Sequence, residues 1–350
     1  MEPLPPNLEG PTWRRYTDGS WYLPDRSLGW ELLGWIAEYL RAPNGDGRFM
    51  CTLEQARFLL WWYAVDERGE FIYRSGTLRR MKGAGKDVIA AAMSLAELCG
   101  PVAFSHFDES GDPVGKPRFN AWVQLAAVSY EQTKNTRMLF PALITDHMKN
   151  TFKLEVGKTI IYSGAGGRIE SLTSSPFAAE GNRPTFVVLN ECQYFFEANS
   201  GHALAQVIEG NVTKVQGSRK LSICNAHVPG MDSVAERDWD AFQRVKSGDA
   251  IDTGVLYDSL EAPAGTPVSE IPAKDVDPDG HEQGLKKLRE GIETARGDAV
   301  WLPVDSIMDS ILDTRNSVSE SRRKYLNQVN AAEDSWISPQ EWDRCAVTSE

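Results

Sequence analysis

The stretch Arg79-Arg80-Met81-Lys82-Gly83-Ala84-Gly85-Lys86-Asp87 constrains the fold more than any other part of this chain. It ends in Gly-Lys and runs into Asp87-Val-Ile-Ala-Ala-Ala-Met-Ser-Leu-Ala-Glu-Leu98, strong helix formers closed by Gly100-Pro101. Glycines just ahead of a helix let backbone N–H groups turn toward an anion, and the helix N-terminus adds a favourable dipole. A loop of the form G-x-x-x-x-G-K-[ST] does this for nucleotide phosphates, its Lys reaching the β/γ oxygens. Here Gly83, Ala84, Gly85 and Lys86 supply the cradle. Arg80 stands where the pattern has Gly, and Asp87 where it has Ser or Thr. So short a match also fits an ordinary glycine turn before a helix, and the rest of the chain has to decide.

A second element lies about a hundred residues on, at Thr185-Phe-Val-Val-Leu-Asn190-Glu191. A continuous apolar run suits a strand buried on both faces, and a polar pair at its end is what a nucleotide hydrolase needs opposite a phosphate loop. In that role Glu191 is the general base and Asn190 lies beside the Mg²⁺. A third element, Leu221-Ser-Ile-Cys-Asn225-Ala226, places Asn225 at a strand end, either as a γ-phosphate sensor or as the cap of an Asn turn. Gln55 starts a helix upstream of the loop. Its amide has the donor–acceptor pair that reads the N6/N7 edge of adenine, although a plain surface Gln would look the same.

The spacing predicts helices over 28–40, 53–64 and 87–98, and strands over 122–128, 159–162, 185–189 and 221–224. Strands separated by helical or turn-rich sequence read as α/β with a largely parallel sheet. Residues 262–282 are turn-dense and mark a linker or lid. We divide the chain into a Pro-, Gly- and Trp-rich arm (1–48), an α/β core (49–261) and a lid or linker subdomain (262–350). The 41% hydrophobic and 25% charged content is that of an ordinary globular protein, and no apolar run reaches the length of a membrane span. The N-terminus lacks the basic-then-apolar pattern of a secretory signal. Five widely spaced cysteines argue against a disulfide framework and for a reducing cytosol. A net charge of −12 disfavours broad coating of DNA but leaves room for a local basic track. The five histidines show no paired spacing, so no metal is assigned to them.

Taken in this order over residues 51–226, the four elements resemble the ATPase domain of the large terminase subunit of tailed bacteriophages, the DNA-packaging motor. The stretch Gly167 to Gly181 is similar to that family too, as are Arg322-Arg-Lys-Tyr-Leu-Asn-Gln-Val, Trp336-Ile-Ser-Pro and Trp342. The resemblance implies a P-loop NTPase of the additional-strand, catalytic-Glu type (ASCE), with ATP and Mg²⁺ as cofactors. It implies Glu191, Lys86 and Arg80 as catalytic residues. Gln55, Arg79, Lys82, Gly83, Ala84, Gly85, Lys86, Asp87 and Asn225 would meet the nucleotide. Double-stranded DNA, a portal protein and a small terminase subunit are the implied partners, with a homo-oligomeric ring as the working state and no membrane. The expected location is the host cytoplasm, docked transiently on the procapsid and absent from the mature virion. In the family a nuclease domain follows this tail, so either this is an ATPase piece or another chain does the cutting. A non-motor DNA scaffold that binds nucleotide is the alternative, and a helicase is a third, although no helicase motif follows residue 226.

The two departures read as a pair. A carboxylate, Asp87, follows the Lys, and a neutral amide, Asn190, holds the place where the strand would carry Asp. Net charge around Mg²⁺ is then conserved, which suits an ion that takes one or two carboxylates and keeps its waters. A helix-dipole role for Asp87 is the plainer possibility. Arg79, Arg80 and Lys82 ring the loop with positive charge, and a transition-state arginine could come from among them or from a neighbouring subunit through Arg168 or Arg183.

Overall fold

The computed structural model describes residues 2–172 and 179–330. Its main sheet takes β1 (Leu8–Glu9), β2 (Ser75–Arg79), β5 (Trp122–Ala126), β6 (Glu155–Val156), β7 (Ile160–Tyr162), β8 (Arg168–Leu172), β9 (Phe186–Asn190), β10 (Arg219–Cys224) and β11 (Val255–Leu260). The strand order is β1-β11-β2-β10-β9-β5-β8-β7-β6. The six strands from β11 to β8 are parallel, and antiparallel strands close both edges. A separate hairpin pairs β3 (Ala103–Phe107) with β4 (Pro113–Lys116).

Period-two alternation explains how the helices are shared between the faces. Phe186 and Val188 of β9 join Leu221 and Ile223 of β10 in one cluster, under α1 (Gly29–Tyr39), α2 (Leu53–Trp62) and α3 (Lys86–Cys99). Val187 and Leu189 point the other way, with Cys224, onto α6 (Gly201–Val212) and α7 (Val234–Ser247). Helices α4 (Tyr130–Leu143) and α5 (Asp146–Phe152) follow β5. A third cluster joins α8 (Pro278–Arg296), α9 (Val304–Leu312) and α10 (Val318–Tyr325), and it includes Met81 of the phosphate loop, which is fully buried.

The register lines up the chemistry. Arg79 pairs with Cys224, Ile223 with Asn190, and Ala126 with Leu189. The residues that follow these positions, Arg80, Asn225, Glu191 and the N-cap of α4, therefore emerge along one carboxyl edge of the sheet, where open α/β sheets bind ligands.

Three expected strands and three expected helices are present within two residues or so of the predicted bounds, and the fourth strand is the short β7. Besides the short β1, β3, β4 and β6, the strands β2, β8 and β11 carry no clear sequence signal. In β2 the apolar signal is thin, because Ser75-Gly-Thr-Leu-Arg79 holds one large aliphatic residue and ends in a buried arginine. Residues 28–40, expected on an arm, contribute Leu28, Leu32, Trp35, Ile36 and Leu40 to the largest core cluster. Trp336 to Pro339 and Trp342 lie outside the described residues, as do residues 173–178 of the Gly167–Gly181 stretch.

Candidate nucleotide site

The phosphate loop leaves β2 at Arg80 and enters α3 at Lys86. Gly83 and Gly85 both sit at φ +83°, a left-handed conformation that side chains resist and that lets the chain double back. Space is as short as conformation there. A Cβ on Gly83 would lie 2.8 Å from Leu302, and one on Gly85 would lie 3.1 Å from the Trp301 ring and 3.5 Å from Gln55 Nε2.

Lys86 is buried, and its ammonium donates to the carbonyls of Arg80 and Met81, each at 3.2 Å. Burial lowers its pKa below the usual lysine value. Glu191 opposes that shift most, followed by Asp87. Glu191 is thus the acid whose charge acts most on Lys86, and β10 alone separates the strands that precede them. Its backbone is left-handed (φ 56°, ψ 48°), and Gln193 Nε2 donates to its carboxylate.

Asp87 and Asn190 meet through a residue that the sequence analysis did not single out. The Thr136 hydroxyl donates to Asp87 Oδ1 at 2.9 Å and accepts from Asn190 Nδ2 at 2.9 Å. Asn190 Nδ2 also donates to the Gln132 carbonyl at 3.2 Å, while Asn190 Oδ1 is buried with no partner among the described residues. The available signal was Ser129, a helix cap placed directly after an apolar strand, which sends the first turns of α4 past the ends of β9 and α3.

The arginines are arranged differently from the expectation. Arg79 is fully buried, facing Ser259 at 3.1 Å and the Glu261 carboxylate, with Trp239 and Tyr257 beside it. Arg80 pairs with Asp258, which is also fully buried, and donates to the Asp258 and Arg79 carbonyls at 3.1 and 3.0 Å. Both guanidinium groups thus have carboxylate partners, Asp258 on β11 and Glu261 just after it, although Arg80 still lines the cavity beside Gly85 and Lys86. Lys82 keeps an exposed side chain, and its backbone N–H donates to the Lys324 carbonyl at 2.7 Å. Asn225 Nδ2 donates to the Arg80 carbonyl at 2.8 Å, so it touches the loop backbone itself. Arg168 stacks on Trp122 and lies 3.4 Å from Glu170, whereas Arg183 is exposed.

Gln55 occupies the third turn position of a capping box on α2. Its Oε1 accepts from Thr52 N at 3.0 Å, which leaves Nε2 near Gly85. A cavity between Gln55, Phe58, Lys86, Ile89 and the 296–299 turn adjoins it. That turn is tied down by reciprocal bonds, Glu54 N to Asp298 Oδ2 at 2.8 Å and Asp298 N to Glu54 Oε1 at 3.0 Å. Trp301 Nε1 donates to the Gly83 carbonyl at 2.9 Å. No sequence motif marked Glu54, Asp298 or Trp301.

A parallel sheet with a phosphate loop after one strand, a Glu after another and a single strand between them defines the additional-strand class of P-loop ATPase folds. The resemblance read from the order of the motifs is met in the backbone. The crystal structure of the HK97 bacteriophage large terminase matches with a TM-score of 0.62 at 17% identity, over 87% of this chain and 55% of that one. The gene 13 proteins of Mycobacterium phages L5 and D29 are 57% and 56% identical over 99% of this chain, which spans 63% of the length of each. No protein-family model matches the chain.

Proposed function

We propose that this chain is the ATPase part of a phage large terminase, hydrolysing ATP to drive double-stranded DNA into a procapsid. The observation that carries the reading is the placement of Lys86 and Glu191 at one sheet edge, with β10 alone between their strands. We read residues 49–261, with α1 packed on them, as the ATPase core and the described residues from 262 to 330 as the lid. Met81 and Ala84 belong to the apolar cluster of the lid, so a lid displacement pulls on the phosphate loop.

The loop amides and Lys86 hold the β- and γ-phosphates, Glu191 polarises the attacking water, and Gln55 Nε2 lies on the side of the base. The Asp87 carboxylate and the partnerless Asn190 Oδ1 are hard oxygens of the kind Mg²⁺ accepts. Among the described residues no group of three or more His, Cys, Asp and Glu could hold a metal without help. Mg²⁺ would complete its shell with waters and phosphate oxygens and would neutralise charge on the β/γ-phosphates. Arg79 and Arg80 are held by Glu261 and Asp258, so an arginine meeting transition-state charge would come from a neighbouring copy in a ring. The portal and the small subunit are the partners this role requires.

Steady-state hydrolysis by wild type, Lys86→Ala and Glu191→Ala, with and without duplex DNA, tests the reading. We expect DNA-stimulated turnover in wild type, its loss in both variants, and retained nucleotide binding in Glu191→Ala. Turnover that survives Glu191→Ala would overturn it.

A further inference from the structure

We propose that Thr136 is a positioning residue for the divalent cation: its hydroxyl orients the Asn190 amide so that Oδ1, and not the NH₂, is offered to the metal. The inference rests on the Mg²⁺–ATP reading of the site.

A hydroxyl has one proton to give, and this one has a definite destination. A carboxylate accepts, so Thr136 O–H donates to Asp87 Oδ1 and its lone pair takes the Asn190 N–H. A threonine inside a helix ordinarily donates back to the carbonyl four residues earlier. Here that carbonyl is Gln132 O, and it receives the second Asn190 N–H instead. Both amide protons therefore point at α4. The amide cannot flip without setting Oδ1 against the Gln132 carbonyl, an acceptor facing an acceptor. What remains is a buried oxygen with no partner among the described residues, one residue before Glu191, on an amide whose nitrogen is bridged by one hydroxyl to Asp87. Leaving such a group unpaired is unfavourable unless a ligand completes it. A cation needs oxygen, and the NH₂ face would repel it.

The arrangement gives a reason for the exchange of residues at the two positions. An amide has chemically distinct ends and needs a neighbour to choose between them, whereas a carboxylate does not. With Asp at position 190, Thr136 would have nothing to orient.

The test is Mn²⁺ binding in the presence of a non-hydrolysable ATP analogue, read by electron paramagnetic resonance alongside the thermal midpoint. Thr136→Val, of equal shape without the hydroxyl, should weaken Mn²⁺ binding by about tenfold, the usual scale for losing an outer-shell partner. Thr136→Ser should restore it. In the Asn190→Asp background Thr136→Val should leave Mn²⁺ affinity within about twofold, because either carboxylate oxygen serves. Unchanged Mn²⁺ affinity with a lowered midpoint in Thr136→Val would reduce the residue to a packing role and overturn the inference. The same Thr136→Val loss in both backgrounds would also overturn it. If Thr136→Val does not fold, Thr136→Cys, a smaller and weaker donor, should give an intermediate Mn²⁺ affinity; wild-type affinity there counts against the proposal. A wild type that takes up no Mn²⁺ with nucleotide would defeat the site reading itself, and the wild-type titration separates that outcome from failure of the inference.

Discussion

Asn225 and Lys86 converge on one backbone oxygen, the Arg80 carbonyl, from 2.8 and 3.2 Å. The end of β10 and the phosphate-loop lysine thus grip the same peptide, so a change at either is felt at the other. Asn225→Ala removes the amide and leaves the carbonyl to Lys86 alone. We expect a stability loss of about 1 kcal/mol, the worth of one buried hydrogen bond. We also expect kcat to fall by about tenfold or more, because small misplacements of catalytic groups are costly. Nucleotide affinity should hardly change. Paired kcat and nucleotide-binding measurements decide, and an unchanged kcat would make Asn225 a structural anchor only.

Arg80 invites a sharper separation of roles. Its guanidinium pairs with Asp258; Asp258 is fully buried and Arg80 nearly so. Removing one partner of such a pair strands the other charge in the interior, at a cost of about 3–5 kcal/mol. Arg80→Ala should therefore lower the unfolding midpoint steeply, and Arg80→Met with Asp258→Leu should recover much of the loss. A variant of wild-type stability with no turnover would return Arg80 to the catalytic role expected from the sequence. Chemical denaturation of the three proteins distinguishes these outcomes.

His227, two residues beyond Asn225, is held neutral. Burial lowers its pKa from 6.5 to about 3, and the Arg79 charge adds to the effect. Between those values the unfolded chain binds a proton that the folded chain refuses. Stability is then fully present above pH 6.5 and falls as pH drops toward 3, by at most about 1.4 kcal/mol per unit. His227→Gln removes the titration. Urea unfolding at pH 7 and pH 5 should show the wild type losing about 2 kcal/mol more than the variant. Equal losses would mean that His227 is protonated in the folded chain.

What could be read from the sequence was whatever depends on local order along the chain. Gly83, Gly85 and Lys86 announce a loop through conformation and charge, and the apolar run before Asn190 announces a strand buried on both faces. The additional-strand class, implied by the resemblance that these elements carry in this order, is borne out by the position of β10. The partners of buried charge could not be read, because they come from distant segments. Arg79 and Arg80 look like ligands of an anion until β11 and the residue after it supply Asp258 and Glu261 beside them, and β11 itself carries no motif. Thr136 is one polar residue on an ordinary helix until the sheet register brings it between Asp87 and Asn190.

Glu191 combines its candidate chemistry with an unfavourable backbone. A non-glycine residue at φ 56° gives up about 1 kcal/mol to its own Cβ. The turn is what carries the carboxylate from the end of β9 toward Lys86, so the strain belongs to the placement. Glycine adopts the same angles freely. Glu191→Gly should then be more stable than Glu191→Ala by about 1 kcal/mol, although glycine ordinarily loses to alanine through its larger unfolded-state entropy. Both variants should lack turnover. Thermal denaturation of the pair isolates the backbone contribution, since neither retains the carboxylate or its bond from Gln193. Alanine proving the more stable would show that the turn relaxes once the side chain is gone, and that position 191 holds its conformation only for the sake of the glutamate.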